Sequence, residues 1–383
     1  MRNDMPSGDT TSLEERLSLA HSRRTFSKII AGGITGAIIA SQAGAKAFSP
    51  PTGMVRIDGN ESPTGPLPEA VKAAADILSR MNRYEPSNER SLLVDTIAQT
   101  ERLPADHVIP WPGSSDPLYR IIMAYTSHSR SLVCADPVFE AAPNLAMTIN
   151  TKVMKVPLTP AYAHDVKAMY AADPGAGVYY LCNPNNPTGT LTSIADIEWL
   201  LDKIPADSIL LLDEAYIHYA AEATGVKFVR EGRNLIILRT FSKIFGMAGM
   251  RMGMTLGRPD LTKPILPFGT SSTNFLPMPA VVAATASLMQ PAAIAARSRA
   301  NATTRQDVFA QLDRRGLKYT PAAANHFLLD WGRPAQEMRA MMKTRGFLIG
   351  RSWPSHPNCS RVSIGSDEEM EAFIKAIDAM RSA

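Results

Sequence analysis

Asn234-Leu235-Ile236-Ile237-Leu238-Arg239-Thr240-Phe241-Ser242-Lys243 holds the pattern from which the fold is read. Residues 234–238 carry four aliphatic side chains and then give way to a polar tip ending in a serine and a lysine. A run this short and this continuously apolar suits a strand buried on both faces. The same pattern occurs twice upstream. Residues 178–182 lead into Asn183-Pro184-Asn185-Asn186-Pro187-Thr188-Gly189, and residues 208–212 lead into Asp213-Glu214-Ala215-Tyr216. In an open parallel sheet, ligands bind beyond the carboxyl ends of the strands, so three such tips are expected to converge on one pocket.

On either side of these runs, helical and strand patterns alternate. Helices are expected over 69–81, 91–101, 117–125 and 141–147, with a strand over 131–135 and a Gly113-Ser114-Ser115 turn ahead of the third helix. Such alternation reads as α/β with a mainly parallel central sheet. Beyond about residue 273 comes a long Ala-rich helical stretch, 277–315, followed by strand, helix, strand and a closing helix over 367–380. At 383 residues the chain exceeds the usual single core. The expected organisation is a leader over 1–47, an opening segment over 48–80, a large domain over 81–272, and a connecting helix with a small α+β domain over 273–383.

A content of 45% hydrophobic and 20% charged residues excludes a disordered or fibrous chain. The net charge of +4 is small, and no basic block or basic-aromatic stripe points to nucleic acid. Cys134, Cys182 and Cys359 are odd in number and lack metal-ligand spacing. They read as buried thiols, and no metal is expected.

The N-terminus has a character of its own. Ser22-Arg23-Arg24-Thr25-Phe26-Ser27-Lys28 precedes an uncharged Gly/Ala/Ile-rich stretch over 29–40, and Ala43-Gly44-Ala45 or Ala45-Lys46-Ala47 offers a small-residue exit. This is a twin-arginine export pattern, with the translocation machinery as partner and the mature chain beginning near residue 46 or 48. The competing readings are an uncleaved anchor and a basic-apolar helix in a cytoplasmic protein. Residues 1–47 hold six basic and four acidic residues, so +2 of the +4 would leave with the leader.

The three tips, taken with Arg251 eight residues beyond Lys243, resemble the fold-type I pyridoxal-5′-phosphate (PLP) aminotransferases, and most of all the histidinol-phosphate aminotransferase branch. The likeness covers roughly residues 54–383. It implies a PLP-dependent transferase fold in which Lys243 carries PLP as a Schiff base and shuttles the substrate proton. Asp213 is then the carboxylate that keeps the pyridine nitrogen protonated, while Tyr216 and Asn186 bond the phenolate oxygen. Ser114 and Ser115, at a helix N-terminus, would hold the phosphate together with Ser242 and Arg251. Phe139 falls where the family stacks an aromatic ring. Many relatives have Tyr there, so stacking survives and a hydroxyl role is lost.

The resemblance extends to assembly and substrate. Arg83-Tyr84 matches an element whose tyrosine reaches the phosphate in the neighbouring subunit, which implies a homodimer. Arg361, in Ser360-Arg361-Val362-Ser363-Ile364-Gly365, matches the arginine that binds the substrate carboxylate through a bidentate fork. Arg351 matches the arginine used for a substrate phosphate, but the loop to Arg361 is short and holds Trp353 and His356. Asn60 and Glu61 lie in the segment that lines the substrate side, where they are expected to select the amino donor.

The activity so implied is transamination in two half-reactions, with an amino acid or related amine as donor and an oxo acid as acceptor. The same scaffold supports decarboxylation, cyclisation or O₂-dependent oxidation of amino acids, depending on which Cα bond stands perpendicular to the ring. A non-catalytic protein on this fold, such as the effector domain of a transcription regulator, is the alternative from another class; the absent DNA-binding module and the export pattern oppose it. Histidine biosynthesis is cytoplasmic, so an exported enzyme is expected to act on something other than histidinol phosphate.

Overall fold

A computed structural model describes residues 53–269 and 276–381. The export leader and both of its cleavage points, and the expected boundary at 273, lie outside the described residues.

Twelve strands are described: β1 (Val55–Ile57), β2 (Val108–Trp111), β3 (Leu132–Asp136), β4 (Val153–Pro157), β5 (Val178–Cys182), β6 (Ile209–Asp213), β7 (Leu235–Thr240), β8 (Gly253–Leu256), β9 (Lys318–Tyr319), β10 (His326–Asp330), β11 (Phe347–Ile349) and β12 (Cys359–Ser363). Seven form one sheet in the order β2-β8-β7-β6-β5-β3-β4. Only β8 runs against the rest, pairing antiparallel with both β2 and β7. The α/β class with a mainly parallel sheet is therefore the fold observed.

The three apolar runs are its neighbouring strands β5, β6 and β7, and every residue of each is buried. Alternation along them feeds two cores. Leu210, Leu212, Leu235 and Ile237 enter one, and Ile209, Leu211, Ile236 and Leu238 enter the other. Burial on both faces is why these runs are continuously apolar rather than alternating. Three strands of this sheet escaped the sequence reading because each carries a weak signal. β2 is four residues long and contains Pro110, β4 is an edge strand with little burial, and β8 opens on a glycine.

Helix boundaries moved where local chemistry dictates. The first helix spans Pro68–Ile77, with proline at its start, and tightens into a 3₁₀ turn over Leu78–Arg80. The stretch expected to be one long helix is two, Met278–Leu288 and Pro291–Asp313, bent by 83°. Pro291 lacks the amide to continue the first helix and instead begins the second. The expected strand-helix-strand portion contains more: β12, β10 and β9 form an antiparallel sheet, while β11 pairs in parallel with β1. That last pairing fixes the opening segment beside the C-terminal part of the chain.

Behind the strand tips lies a buried ion network. Arg239, at 3% exposure, donates through Nε to Glu214 Oε2 at 2.9 Å and also pairs with Glu101 at the end of helix Glu89–Glu101. The amide of Gly225 and the hydroxyl of Thr224 complete the shell of Glu214, which is fully buried. Two carboxylates on one cation satisfy each other here only as a set. Arg239→Ala would strand Glu214 without a counter-charge and is expected to cost about 3–5 kcal/mol of stability. Urea unfolding followed by circular dichroism measures the loss.

Candidate active site

Beyond the carboxyl ends of β5, β6 and β7 opens a cleft of about 290 Å³, at the lower end of the range for small-molecule sites. Parallel register brings the tips level, with Cys182 opposite Asp213 and Asp213 opposite Leu238. Asn186, Asp213, Tyr216, Ser242 and Lys243 accordingly share one cavity, with Ser114, Ser115, Phe139, Arg251, Arg361 and Glu61 around it.

Lys243 opens on this cleft while its stem is enclosed. Its Nζ lies 3.4 Å from the carbonyl of Gly59 and 5.3 Å from the ring centre of Tyr216. Burial, reinforced by the nearby Arg361 guanidinium, lowers its ammonium to about 8, although the carboxylates of Glu61 and Asp213 oppose the shift. A lysine so poised is neutral in appreciable fraction near physiological pH, as a nucleophilic amine must be.

Asp213, the last residue of β6, is 4% exposed. It accepts from the hydroxyl of Tyr180 at 2.9 Å and from the amide of Ala215 at 3.1 Å. Burial pushes its carboxyl up to about 6 in spite of those two donors. Tyr216 is buried, with its phenol raised by desolvation, and its oxygen accepts from Asn60 Nδ2 at 3.1 Å.

The Asn-Pro-Asn-Asn-Pro-Thr-Gly segment divides its work. Asn186 faces the cleft, where its Oδ1 accepts from Arg361 Nη1 at 2.9 Å. The rest clamps the C-terminal strands: Ala323 donates to the carbonyl of Gly189, Thr320 to that of Thr188, and a His326 ring nitrogen meets that of Asn185. Gly189 has φ +70°, and a side chain there would collide with the backbone of His326, so glycine is required.

At the opposite end, Ser114 precedes helix Ser115–Tyr125, whose first turn carries no side-chain cap. Its amides, the hydroxyl of Ser242 and the guanidinium of Arg251 converge there, with Arg251 Nη1 3.4 Å from Ser242 Oγ. Gly113, at φ +90°, lets Arg251 pack against the turn; a Cβ would strike the guanidinium. This is a cradle of helix-terminal amides and positive charge suited to a phosphate. With a buried carboxylate for a ring nitrogen and a low-pKa lysine, the residues present fit PLP.

Arg361, in the middle of β12, also donates to the carbonyl of Asp58, and its Nε is buried without a hydrogen-bond partner among the described residues. Asn60 is fully buried and held by Ser363, Asn325 and Tyr216. It braces the wall, whereas Glu61 is exposed at the rim. Two residues singled out in the sequence stand apart from the cleft. Arg351 pairs with Glu140 and lies 4.4 Å over the ring of Trp353. Tyr84 is 87% exposed on a separate surface hollow with Met81 and Met278. Sequence reasoning missed Tyr180 and Thr240. Tyr180 carries the legible signal, since strand alternation puts it on the same face as Cys182.

Comparison with known proteins agrees with this geometry. Residues 52–377 match the family model "Aminotransferase class I and II". The chain is 34% identical to a histidinol-phosphate aminotransferase of Symbiobacterium thermophilum over 85% of its length and 90% of that protein's. It is 32% identical to an aromatic amino acid aminotransferase of Rhodococcus jostii, covering 84% and 89%. The crystal structure of histidinol-phosphate aminotransferase from Sinorhizobium meliloti in complex with pyridoxal-5′-phosphate superposes with a TM-score of 0.78 at 25% identity, covering 86% of this chain and 91% of that one. The chain belongs to the class I and II aminotransferase family and is a PLP-dependent aminotransferase.

Proposed function

We propose that the cleft transaminates an amino acid that bears a free α-carboxylate, with Lys243 as the proton carrier and Arg361 as the carboxylate receptor. The presence of Lys243, Asp213 and Arg361 in one cavity carries this reading. The organisation that goes with it is the one expected from the sequence: cofactor groups drawn from 81–272, substrate groups from 48–80 and 273–383.

Ser114, Ser115, Ser242 and Arg251 would hold the phosphate of PLP, Phe139 would stack on its ring, Asp213 would face the ring nitrogen, and Asn186 with Tyr216 would bond its phenolic oxygen. Bound there, PLP supplies an electron sink for the charge left when a Cα–H bond breaks. Arg361 orients the donor through its carboxylate, so the Cα–H bond is presented to Lys243. Lys243 Nζ, neutral in part because burial lowers it to about 8, would take that proton from Cα and deliver it to the cofactor's C4′ carbon. Glu61 at the rim is the group available to select the donor side chain.

Two features support a carboxylate donor over a phosphate monoester. Arg361 keeps a buried Nε at the cleft with no hydrogen-bond partner among the described residues, and Arg351 is engaged by Glu140 and Trp353. Histidinol phosphate, which lacks an α-carboxylate, is then a poor donor. Assembly as a homodimer, with Tyr84 contributing to the partner's site, is supported by the exposure of Tyr84 beside the exposed Leu78 and Met81. Export through the twin-arginine route is supported by Arg23-Arg24 and the apolar stretch after them.

Single-turnover reaction of the holoenzyme with an amino-acid panel tests the activity. Loss of the cofactor's visible band with one oxo acid released per site is expected, and release of CO₂ or H₂O₂ instead would overturn it. Lys243→Ala should lose the lysine-bound absorbance band and slow that turnover by about 10²- to 10⁴-fold. Arg361→Ala should lower kcat/KM by about 10- to 100-fold for carboxylate donors, chiefly through KM, while leaving the response to histidinol phosphate unchanged. Sedimentation of the purified protein should give twice the chain mass, and an Arg23→Lys, Arg24→Lys double variant should remain in the cytoplasmic fraction.

A further inference from the structure

Tyr180 is a fully buried residue of β5 that the reaction scheme leaves without a role. On β5, Tyr180 and Cys182 join the same core as Leu211 of β6. Asp213 follows Leu211 by two residues and so projects from that face. Register sets Tyr180 opposite Leu211 and Cys182 opposite Asp213, so the tyrosine reaches diagonally along the sheet to the carboxylate. Its hydroxyl donates to Asp213 Oδ2 at 2.9 Å, and the two groups are 0% and 4% exposed.

A phenylalanine would fill the same space, so what the tyrosine adds is its hydroxyl. Desolvation holds that phenol well above its ordinary value, so the proton stays on the tyrosine and Asp213 is the acceptor. The titratable neighbours are Cys134 on β3, Cys182 on β5, Glu214 and Tyr216 beyond β6 and Lys243 beyond β7. Of these, Cys134 and Cys182 have thiols pushed up by burial and remain neutral, and Lys243 favours the charged carboxylate. With Asp213 already pushed up to about 6, losing one donor lowers its charged fraction at neutral pH.

We propose that Tyr180 is a positioning residue for the cofactor: its hydroxyl, donated to Asp213, holds that carboxylate charged and in one orientation at the cleft wall. The proposal rests on the assignment of Asp213 to the cofactor's ring nitrogen. Because Asp213 must be ionised to face a protonated nitrogen, affinity for PLP falls as pH drops through its pKa. Losing the donor raises that pKa and moves the acid limb toward neutrality.

The experiment is titration of the apoprotein with PLP, followed by fluorescence quenching from about pH 5 to 8. Tyr180→Phe should move the acid limb up by about one pH unit, weakening binding about tenfold on the acid side of the limb and about twofold at neutral pH. 3-Fluorotyrosine at position 180, a stronger donor that keeps the fold should the phenylalanine variant fail to form it, should move the limb down. In an Asp213→Asn background both effects should vanish. An unmoved limb in the variants that fold, or an effect of Tyr180→Phe that persists in the Asp213→Asn background, overturns the role of Tyr180. Unaltered PLP affinity in Asp213→Asn alone would instead overturn the assignment of Asp213.

Discussion

The pairing of β5 with β6 and β6 with β7 is the constraint on which the site depends. Each pair is parallel and in a register that sets Cys182 beside Asp213 and Asp213 beside Leu238. Side chains on a strand alternate faces, so a slip of one residue would send Asp213 to the opposite core and turn Lys243 away. Close packing of unlike side chains in the two cores, and the cost of driving a polar tip into one of them, oppose such a slip. The apolar runs thus act as rulers that deliver three polar tips to one depth, and the catalytic geometry is a by-product of core packing.

That sheet and its connections supply one side of the cleft, and Gly59, Glu61 and Arg361 supply the other. The segment from Asn183 to Gly189 ties the sheet to the other side by bonds to Ala323, Thr320 and His326, while β1 joins β11 and Asn60 is anchored to Ser363. Arg361 enters on β12 and meets Asn186 through this same junction. A motif that reads in sequence as a cofactor loop is, in space, mostly a clamp. Of its seven residues, Asn186 is the one that lines the cleft.

Much of this was legible in the order of residues alone. Three apolar runs with polar tips marked the strand positions, because doubly buried strands are continuously apolar and end abruptly. Gly113-Ser114-Ser115 was readable as a weak anion-binding turn from helix-terminus chemistry, and Arg251 entered only through the family resemblance. Harder to read were the features that tertiary context creates. Asn60 was expected to help select the amino donor; its amide bonds Tyr216 and Ser363, the latter more than 300 residues away, a partnership that no local pattern encodes. Arg351 matched a phosphate-binding position in a loop too short for it, and its pairing with Glu140, over 200 residues away, is another contact that no local pattern encodes. Pro291 was visible in the sequence, but alanine-rich flanks hid the 83° corner it makes.

The adjacent acids Asp213 and Glu214 show how one peptide bond separates structure from chemistry. Both are buried, and burial raises both carboxyls. Glu214 turns toward Thr224 and Gly225 and is matched by Arg239 within the protein, so its charge is spent on holding helix Glu89–Glu101 and β7 together. Asp213 receives two neutral donors and, among the described residues, no hydrogen bond from a cation. A buried carboxylate left in that condition carries a desolvation cost that a cationic ligand would relieve. Under the proposed assignment, the protonated ring nitrogen of the cofactor would meet the electrostatic demand left open at Asp213, whereas that of Glu214 is met within the protein by Arg239.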